Sequence, residues 1–132
     1  MSERHKRARA TLCRTFSSIE IFSRRVLRRP LRGYQLAPAQ AIVDSVQRGR
    51  GLTLAVMMAR QAGKNEISAQ VEAFLLNLYR RRGGSLIKAA PTFTPQAVNS
   101  MRRLQAVLEG SLLPAPQREG GHGICVGRAR AF

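Results

Sequence analysis

The run Ala59-Arg60-Gln61-Ala62-Gly63-Lys64-Asn65-Glu66 holds the residues of this chain that are best suited to chemistry. It follows the apolar segment Leu52-Thr53-Leu54-Ala55-Val56-Met57-Met58 and precedes a helical pattern. A buried strand, a loop with Gly-Lys and then a helix is the layout of a phosphate-binding P-loop. Backbone N–H groups and the helix dipole there favour an anion, and the lysine reaches the outer phosphates. The spacing therefore predicts that Gln61, Ala62, Gly63, Lys64 and Asn65 bind nucleotide phosphates.

The loop departs from the strict pattern G-x-x-x-x-G-K-[ST] at two positions. Met58 stands at the leading glycine, and Asn65 stands where a hydroxyl would hold Mg²⁺. An amide oxygen is a longer and less well-placed ligand than a hydroxyl, so Mg²⁺ binding is expected to be weak and stays open. The alternative is an ordinary strand-to-helix turn, with Gly63 for tightness and Lys64 in solvent.

Three stretches in the same order resemble the large terminase subunit, the ATPase motor of tailed-phage DNA packaging. Arg60-Gln61-Ala62-Gly63-Lys64 resembles its variant Walker A motif, and Arg32-Gly33-Tyr34-Gln35 resembles its adenine-recognition segment. Lys88-Ala89-Ala90-Pro91-Thr92, with Gln96-Ala97 beyond it, is similar to its post-strand loop. The resemblance spans roughly residues 31–110. Helicase-type P-loop proteins share the Tyr-Gln segment, so a fragment of such a protein is an alternative.

The resemblance implies a role for each matched residue. Arg60 would stabilise charge on the transferring phosphoryl group, which makes it the catalytic candidate; a salt bridge that holds the loop is the alternative. Tyr34 would lie against the adenine face and Gln35 would hydrogen-bond the adenine edge. The alternative for Tyr34 is an aromatic that packs, half-buried, before the next helix.

The resemblance also implies a ligand, partners and a compartment. ATP is the implied ligand. The implied partners are double-stranded DNA, the remaining terminase domains and the small terminase subunit, in the cytoplasm of a bacterial host cell.

Hydrolysis in such motors needs further acidic groups. One Asp on a later strand holds Mg²⁺, and a Glu orients the attacking water. The chain has seven acidic residues, none of which ends an apolar strand: Glu3, Glu20, Asp44, Glu66, Glu72, Glu109 and Glu119. The sequence therefore predicts a truncated, nucleotide-binding N-terminal piece that does not hydrolyse ATP alone.

Composition favours a polyanionic partner. The 132 residues include 23 Lys and Arg and 7 Asp and Glu, which gives a formal net charge of +16. This charge favours salt-sensitive binding to phosphate polyanions. A small basic nucleic-acid-binding protein, whose Gly-Lys loop contacts backbone phosphate, is therefore a further alternative. Cys13, His122 and Cys125 form no metal-ligand spacing, and no apolar run approaches the ~20 residues that cross a bilayer.

The predicted fold class is α/β. It consists of an incomplete P-loop NTPase-like βαβ core with a parallel sheet and flanking helices. We expect a basic N-terminal arm at residues 1–30, a truncated P-loop ATPase domain at residues 31–110 and a disordered tail at residues 111–132. In the arm, an amphipathic helix over about Ser17–Arg28 is expected to dock on the domain or to lie on DNA, an acidic partner or a membrane surface.

Hydrophobic periodicity predicts the elements of the central part. They are a helix from Ala37 or Pro38 with the face Ala39, Ile42, Val43 and Val46; a buried strand Leu52–Met58; a helix Lys64–Arg81 with the stripe Ile67, Val71, Phe74, Leu75 and Leu78; a strand Ser85–Ala90; and a helix from Pro95 that presents Val98, Met101, Leu104 and Leu108. The run Arg80-Arg81-Arg82 is expected to be either a solvated helix end or a contact to DNA phosphate.

Overall fold

The computed structural model describes residues 15–132, so the predictions for residues 1–14 of the basic arm lie outside the described residues. The described residues form a mixed α/β fold of four helices and four strands. In chain order these are α1 Ile19–Arg25, α2 Gly33–Gln47, α3 Lys64–Leu78, β1 Gly84–Leu86, α4 Val98–Glu109, β2 Gln117–Glu119, β3 Gly123–Val126 and β4 Ala129–Ala131. The strands form one sheet of order β1-β4-β3-β2.

The core is built around α3. This helix contacts the other three helices and the strands β1, β3 and β4. Ile67, Val71 and Phe74 of its predicted stripe are buried, and Leu75 and Leu78 pack against the core from partly exposed positions. Their burial confirms the predicted stripe, although the helix ends at Leu78, three residues earlier than expected.

Helix α1 docks on this core, which was one of the two expectations for it. Ser18 caps the helix, because its Oγ accepts a hydrogen bond from Ile21 N at 3.2 Å. Ile19, Phe22 and Val26 are buried, and the Phe22 ring meets Phe74 edge-on with centroids 5.2 Å apart. The arginines of this segment remain exposed.

Helix α2 begins at Gly33, earlier than the predicted Ala37 or Pro38. Gln35 explains the early start, since its Oε1 accepts a hydrogen bond from Arg32 N at 2.9 Å and so satisfies a backbone donor at the helix N-terminus. Pro38 therefore lies inside the helix. The early start puts Gln35 in the first helical turn.

The predicted buried strand Leu52–Met58 is wrong. These residues belong to no strand, and all except Met58 are exposed. Apolar composition favours burial, but a strand forms only where a second strand supplies hydrogen-bond partners. Among residues 15–132, β1 takes β4 as its neighbour and no strand lies beside this segment. The predicted βαβ pair of a parallel sheet is therefore not formed.

The predicted disordered tail at residues 111–132 is also wrong, since this segment carries three of the four strands. Strand β4 runs parallel to β1 and antiparallel to β3, and β2 pairs antiparallel with β3. Ile124, Val126, Ala129 and Ala131 are buried beneath the helices. The sheet is therefore mixed, with a single parallel pair.

The strand and the helix predicted after α3 are both present, with shifted starts: β1 begins at Gly84, one residue before the predicted Ser85, and α4 begins at Val98, three residues after the predicted Pro95. The pairing of β1 continues to Lys88, whose N–H donates to Phe132 O at 2.8 Å. Helix α4 buries the four predicted residues Val98, Met101, Leu104 and Leu108. None of the helices in the described part of the chain is long and apolar enough to cross a bilayer.

Candidate functional site

The Gly-Lys loop leads directly into α3 with an open helix N-terminus. Gln61 and Gly63 have left-handed backbone conformations, with φ of 61° and 83°. Gly63 is the N-cap, and no side chain caps the helix. Within residues 15–132 the N–H groups of Gly63, Lys64 and Asn65 donate to no protein acceptor. Such free donors at the positive end of a helix dipole are suited to an anion.

The first turn of α2 holds this loop through one carbonyl. Tyr34 Oη donates a hydrogen bond to Ala62 O at 3.0 Å, and Gln35 Nε2 donates to the same oxygen at 3.3 Å. Gln35 is buried and bonds Arg32 N with its other end, so its side chain positions the loop. Tyr34 is 50% exposed, which leaves its ring accessible from solvent.

A side chain at Gly63 would force Gln35 to move and would strain the backbone. An ideal Cβ at this position would collide with Gln35 Nε2, and the positive φ is unfavourable for other residues. The close approach of Gln35 to the loop therefore depends on glycine.

A cavity of about 320 Å³ lies between the loop and the start of α2. It brings together five of the eight predicted binding residues, namely Tyr34, Gln35, Gln61, Ala62 and Gly63. A second, mainly apolar cavity of about 530 Å³ shares Tyr34 and Ala62 with the first and continues along residues 54–59. Tyr34 therefore separates a polar cavity from an apolar one.

The other three predicted residues lie outside the polar cavity. Arg60 and Asn65 are exposed and line none of these cavities. Lys64 lines a neighbouring cavity of about 320 Å³, between α3 and the segment 56–58. None of the ion pairs in the described part of the chain includes Arg60 or Lys64, so the salt-bridge alternative for Arg60 finds no support.

The polar cavity is lined by charged side chains that were not among the predicted binding residues. Arg29 and Arg32 line it, as does Glu66. Glu66 Oε2 lies 3.1 Å from Arg29 Nη2 and 3.6 Å from Arg103 Nη1, so two guanidinium groups neutralise this carboxylate. No local pattern links Arg29 to Glu66, because the two residues are 37 positions apart.

The wall of the cavity also contains a buried polar group, Gln70. Its Nε2 donates to Arg29 O at 2.8 Å and to Glu66 Oε1 at 2.9 Å. Its Oε1 is buried and has no hydrogen-bond partner among the described residues. An unpaired buried acceptor costs roughly 1–3 kcal/mol, so a water molecule or a ligand hydroxyl that reached it would be stabilising.

Lys88 has a structural role instead of a place at the loop. Its Nζ lies 2.5 Å from Glu72 Oε2, and both side chains are about nine-tenths buried. Ser68 Oγ donates to the other carboxylate oxygen at 2.6 Å. Sequence reasoning missed this pair; the available signal was an acidic residue in the middle of the apolar stretch of α3.

The side chains present do not fit a divalent cation held by the protein. No group of three or more His, Cys, Asp or Glu side chains is gathered anywhere in the described ranges. The amide of Asn65 is exposed, and the nearby Glu66 is already paired with arginines. We therefore assign no step to Mg²⁺.

His122 and Cys125 do not form a metal pair either. The His122 ring meets Phe93 edge-on, with centroids 5.2 Å apart. Cys125 Sγ donates a hydrogen bond to Glu119 Oε2 at 2.8 Å. This hydrogen bond, together with burial, raises the pKa of the Cys125 thiol and so favours its protonated form.

No protein-family model, curated protein or solved structure matches this chain.

Proposed function

We propose that this chain binds ATP at the N-terminus of α3, as the N-terminal piece of a phage large terminase subunit, related to ATP-driven DNA packaging. One observation carries the proposal: Tyr34 and Gln35 both donate to Ala62 O, across sequence separations of 28 and 27 residues. The resemblance to terminases requires the Tyr-Gln segment to lie beside the Gly-Lys loop. Nothing in the local sequence forces that contact, so its presence is independent support.

The loop would bind the phosphates mainly through its backbone. The free N–H groups of Gly63, Lys64 and Asn65 could donate to an anion bound at the positive end of α3. Lys64 carries an exposed ammonium at the same helix start, and Arg29 and Arg32 add positive charge beside it. Together these groups are suited to a triphosphate.

The adenine base would lie against the exposed Tyr34 ring. The apolar cavity that begins at Tyr34 offers Pro38 and Leu54 as further walls, and an apolar surface around an aromatic ring suits a planar base. The contact of Gln35 with the adenine edge stays a prediction, because in this structure its amide bonds the loop and Arg32.

We propose binding without hydrolysis by this chain alone. Of the carboxylates on α3, Glu66 is paired with Arg29 and Arg103, and Glu72 is paired with Lys88. Neither is free to orient a water molecule. Arg60 is exposed and unpaired within residues 15–132, and would act on a phosphoryl group only after a partner completed the site. The remaining terminase domains are the partner that the resemblance suggests, in the bacterial cytoplasm.

A second candidate is a small basic nucleic-acid-binding protein, which the net charge of +16 favours. In that case the loop amides would hold a backbone phosphate in place of ATP. A helicase-type P-loop fragment would share the Tyr34 and Gln35 contacts. A measurement of ATP binding distinguishes the proposal from the nucleic-acid-binding alternative, in which the loop holds no ATP.

The test is the ATP affinity of a Lys64→Ala variant, measured by calorimetric titration. Loss of one charge-assisted phosphate contact is worth roughly 1.5–3 kcal/mol, so we expect ATP to bind at least about tenfold more weakly. The matched control is Arg48→Ala, which also removes one exposed positive charge but lies at the end of α2. Its ATP affinity should stay within about twofold of the parent chain.

The affinity for a DNA duplex serves as the second measurement. We expect Lys64→Ala to leave it nearly unchanged, because duplex binding draws on many cationic side chains. If the parent chain binds duplex but not millimolar ATP, the nucleic-acid alternative replaces the proposal. Equal ATP affinities for Lys64→Ala and the parent chain would contradict the assignment of the loop.

A further inference from the structure

Four exposed arginines from two distant chain segments meet at the far end of α3. Arg80, Arg81 and Arg82 follow the helix, and Arg128 lies in the turn between β3 and β4. Arg128 N donates a hydrogen bond to Arg80 O at 2.8 Å, which joins the turn to the helix end. These four residues are called the arginine cluster below.

Two glycines hold the cluster together by allowing backbone to touch backbone. An ideal Cβ on Gly127 would lie 2.5 Å from Arg80 O, and one on Gly83 would lie 3.3 Å from Arg128 O. Both glycines have a positive φ. The tertiary contact therefore brings Arg128 beside the other three arginines by backbone packing, without help from their side chains.

The cluster carries four positive charges that no described carboxylate neutralises. None of its members is in an ion pair within residues 15–132, whereas Arg24, Arg29, Arg103 and Arg130 are. The sequence contains no acidic residue between Glu72 and Glu109. The negative end of the α3 dipole offsets part of the charge, and a polyanion would offset the rest.

We propose that the arginine cluster binds the phosphate backbone of double-stranded nucleic acid. Guanidinium groups bind phosphate oxygens in a bidentate manner. The cluster contains no exposed aromatic residue on which a single-stranded base would stack, since the adjacent Tyr79 is only partly exposed. The cluster also contains no Asn or Gln, the side chains that read adenine, and the proposal assigns its arginines to phosphate, so we expect binding that does not depend on sequence.

This site is separate from the ATP site of the proposed function. Helix α3 has 15 residues, and a rise of about 1.5 Å per residue puts its two ends roughly 20 Å apart. The loop lies at the positive end of the helix and the cluster at the negative end. If one site proves not to bind its ligand, binding at the other site can therefore still be tested.

The experiment measures the affinity of the full chain for a random-sequence 20-base-pair duplex by fluorescence anisotropy, over a series of salt concentrations. The test variant is Arg80→Gln, Arg81→Gln, Arg82→Gln and Arg128→Gln combined. The matched control combines Arg25→Gln, Arg48→Gln, Arg50→Gln and Arg102→Gln, which are all exposed and in no described ion pair. Each variant removes four charges, so both have a net charge of +16 − 4 = +12.

We expect the test variant to bind at least about tenfold more weakly at moderate salt, and its plot of log affinity against log salt to be shallower by about 3. The affinity of the control variant for the duplex should fall by less than about threefold. Equal losses in the two variants would overturn the proposal, because net charge alone would then explain binding. A last measurement uses vesicles with anionic lipids. If the chain binds vesicles through the arginine cluster but does not bind the duplex, the proposal is also overturned.

Discussion

At the scale of single residues, the loop depends on one contact between Gly63 and Gln35. The amide of Gln35 occupies the space where a side chain at position 63 would lie, and from there it donates to Ala62 O. A glycine in a phosphate-binding loop usually allows the backbone to approach the phosphate closely. Here a protein side chain already accounts for the glycine, so the loop is held in shape before any ligand binds.

Substitution Gly63→Ala is therefore expected to weaken ATP binding and to destabilise the chain. The positive φ and the collision with Gln35 each cost free energy, on the order of 1–3 kcal/mol together. Gly49→Ala is the matched control, since Gly49 also has a positive φ of 61° but has open space where a Cβ would lie. Thermal unfolding and ATP titration of both variants give the comparison.

Gln35→Ala should destabilise the Gly63→Ala variant less than it destabilises the parent chain, because in the variant it also removes the colliding amide. If Gly63→Ala and Gly49→Ala lower the free energy of unfolding by the same amount, the collision with Gln35 has no effect on stability. The contact with Gln35 then does not hold the loop.

At the scale of elements, the segment 52–58 is apolar but unpaired. Met57 is 99% exposed, and Leu52, Leu54 and Val56 are exposed as well. The cavity beside Lys64 is lined by Val56 and Met58 of this segment and by Leu86 and Ile87 of the β1 region. An exposed apolar segment of this kind favours association between chains, so we expect the segment 52–58 to promote aggregation.

Substitution Met57→Lys is expected to reduce aggregation without loss of stability, since this side chain makes little contact with the core. Static light scattering against protein concentration measures the aggregation. Met57→Leu keeps the apolar character and should behave like the parent chain. If Met57→Lys aggregates as readily as the parent, another surface drives association.

At the scale of the whole molecule, like charges oppose folding. The net charge of +16 is spread over only 132 residues, and among residues 15–132 the edge strands β1 and β2 each have one unpaired side. We expect the isolated chain to be marginally stable, because self-repulsion destabilises a compact state.

The melting temperature should therefore rise as NaCl is increased from 0.05 to 0.5 M, since salt screens charges beyond about 4–14 Å over that range. Circular dichroism at increasing temperature measures the change. The quadruple variants of the arginine cluster and of its control should both melt higher than the parent at low salt, because each carries four fewer charges. A sharp, salt-independent melt of the parent chain would contradict this view.

The sequence by itself determined the parts of the fold whose signal is local. The 3.6-residue period of α3 and α4 located both helices and their buried faces, because the spacing of apolar residues on a helix is set by the helix itself. The Gly-Lys pair marked the start of α3, which is also a local signal. Gly63 adopts a positive φ, a conformation that favours glycine, directly before the first helical residue.

Only the tertiary structure decided which strands pair. The segment 52–58 is strongly apolar yet unpaired, whereas β4 is an Ala-Arg-Ala stretch that pairs on both sides. Strand pairing depends on hydrogen bonds between residues far apart in the chain, and a three-residue strand leaves too short a pattern to detect. The contacts of Tyr34 with Ala62 and of Arg128 with Arg80 have the same origin, so both candidate sites became visible only once distant segments were brought together.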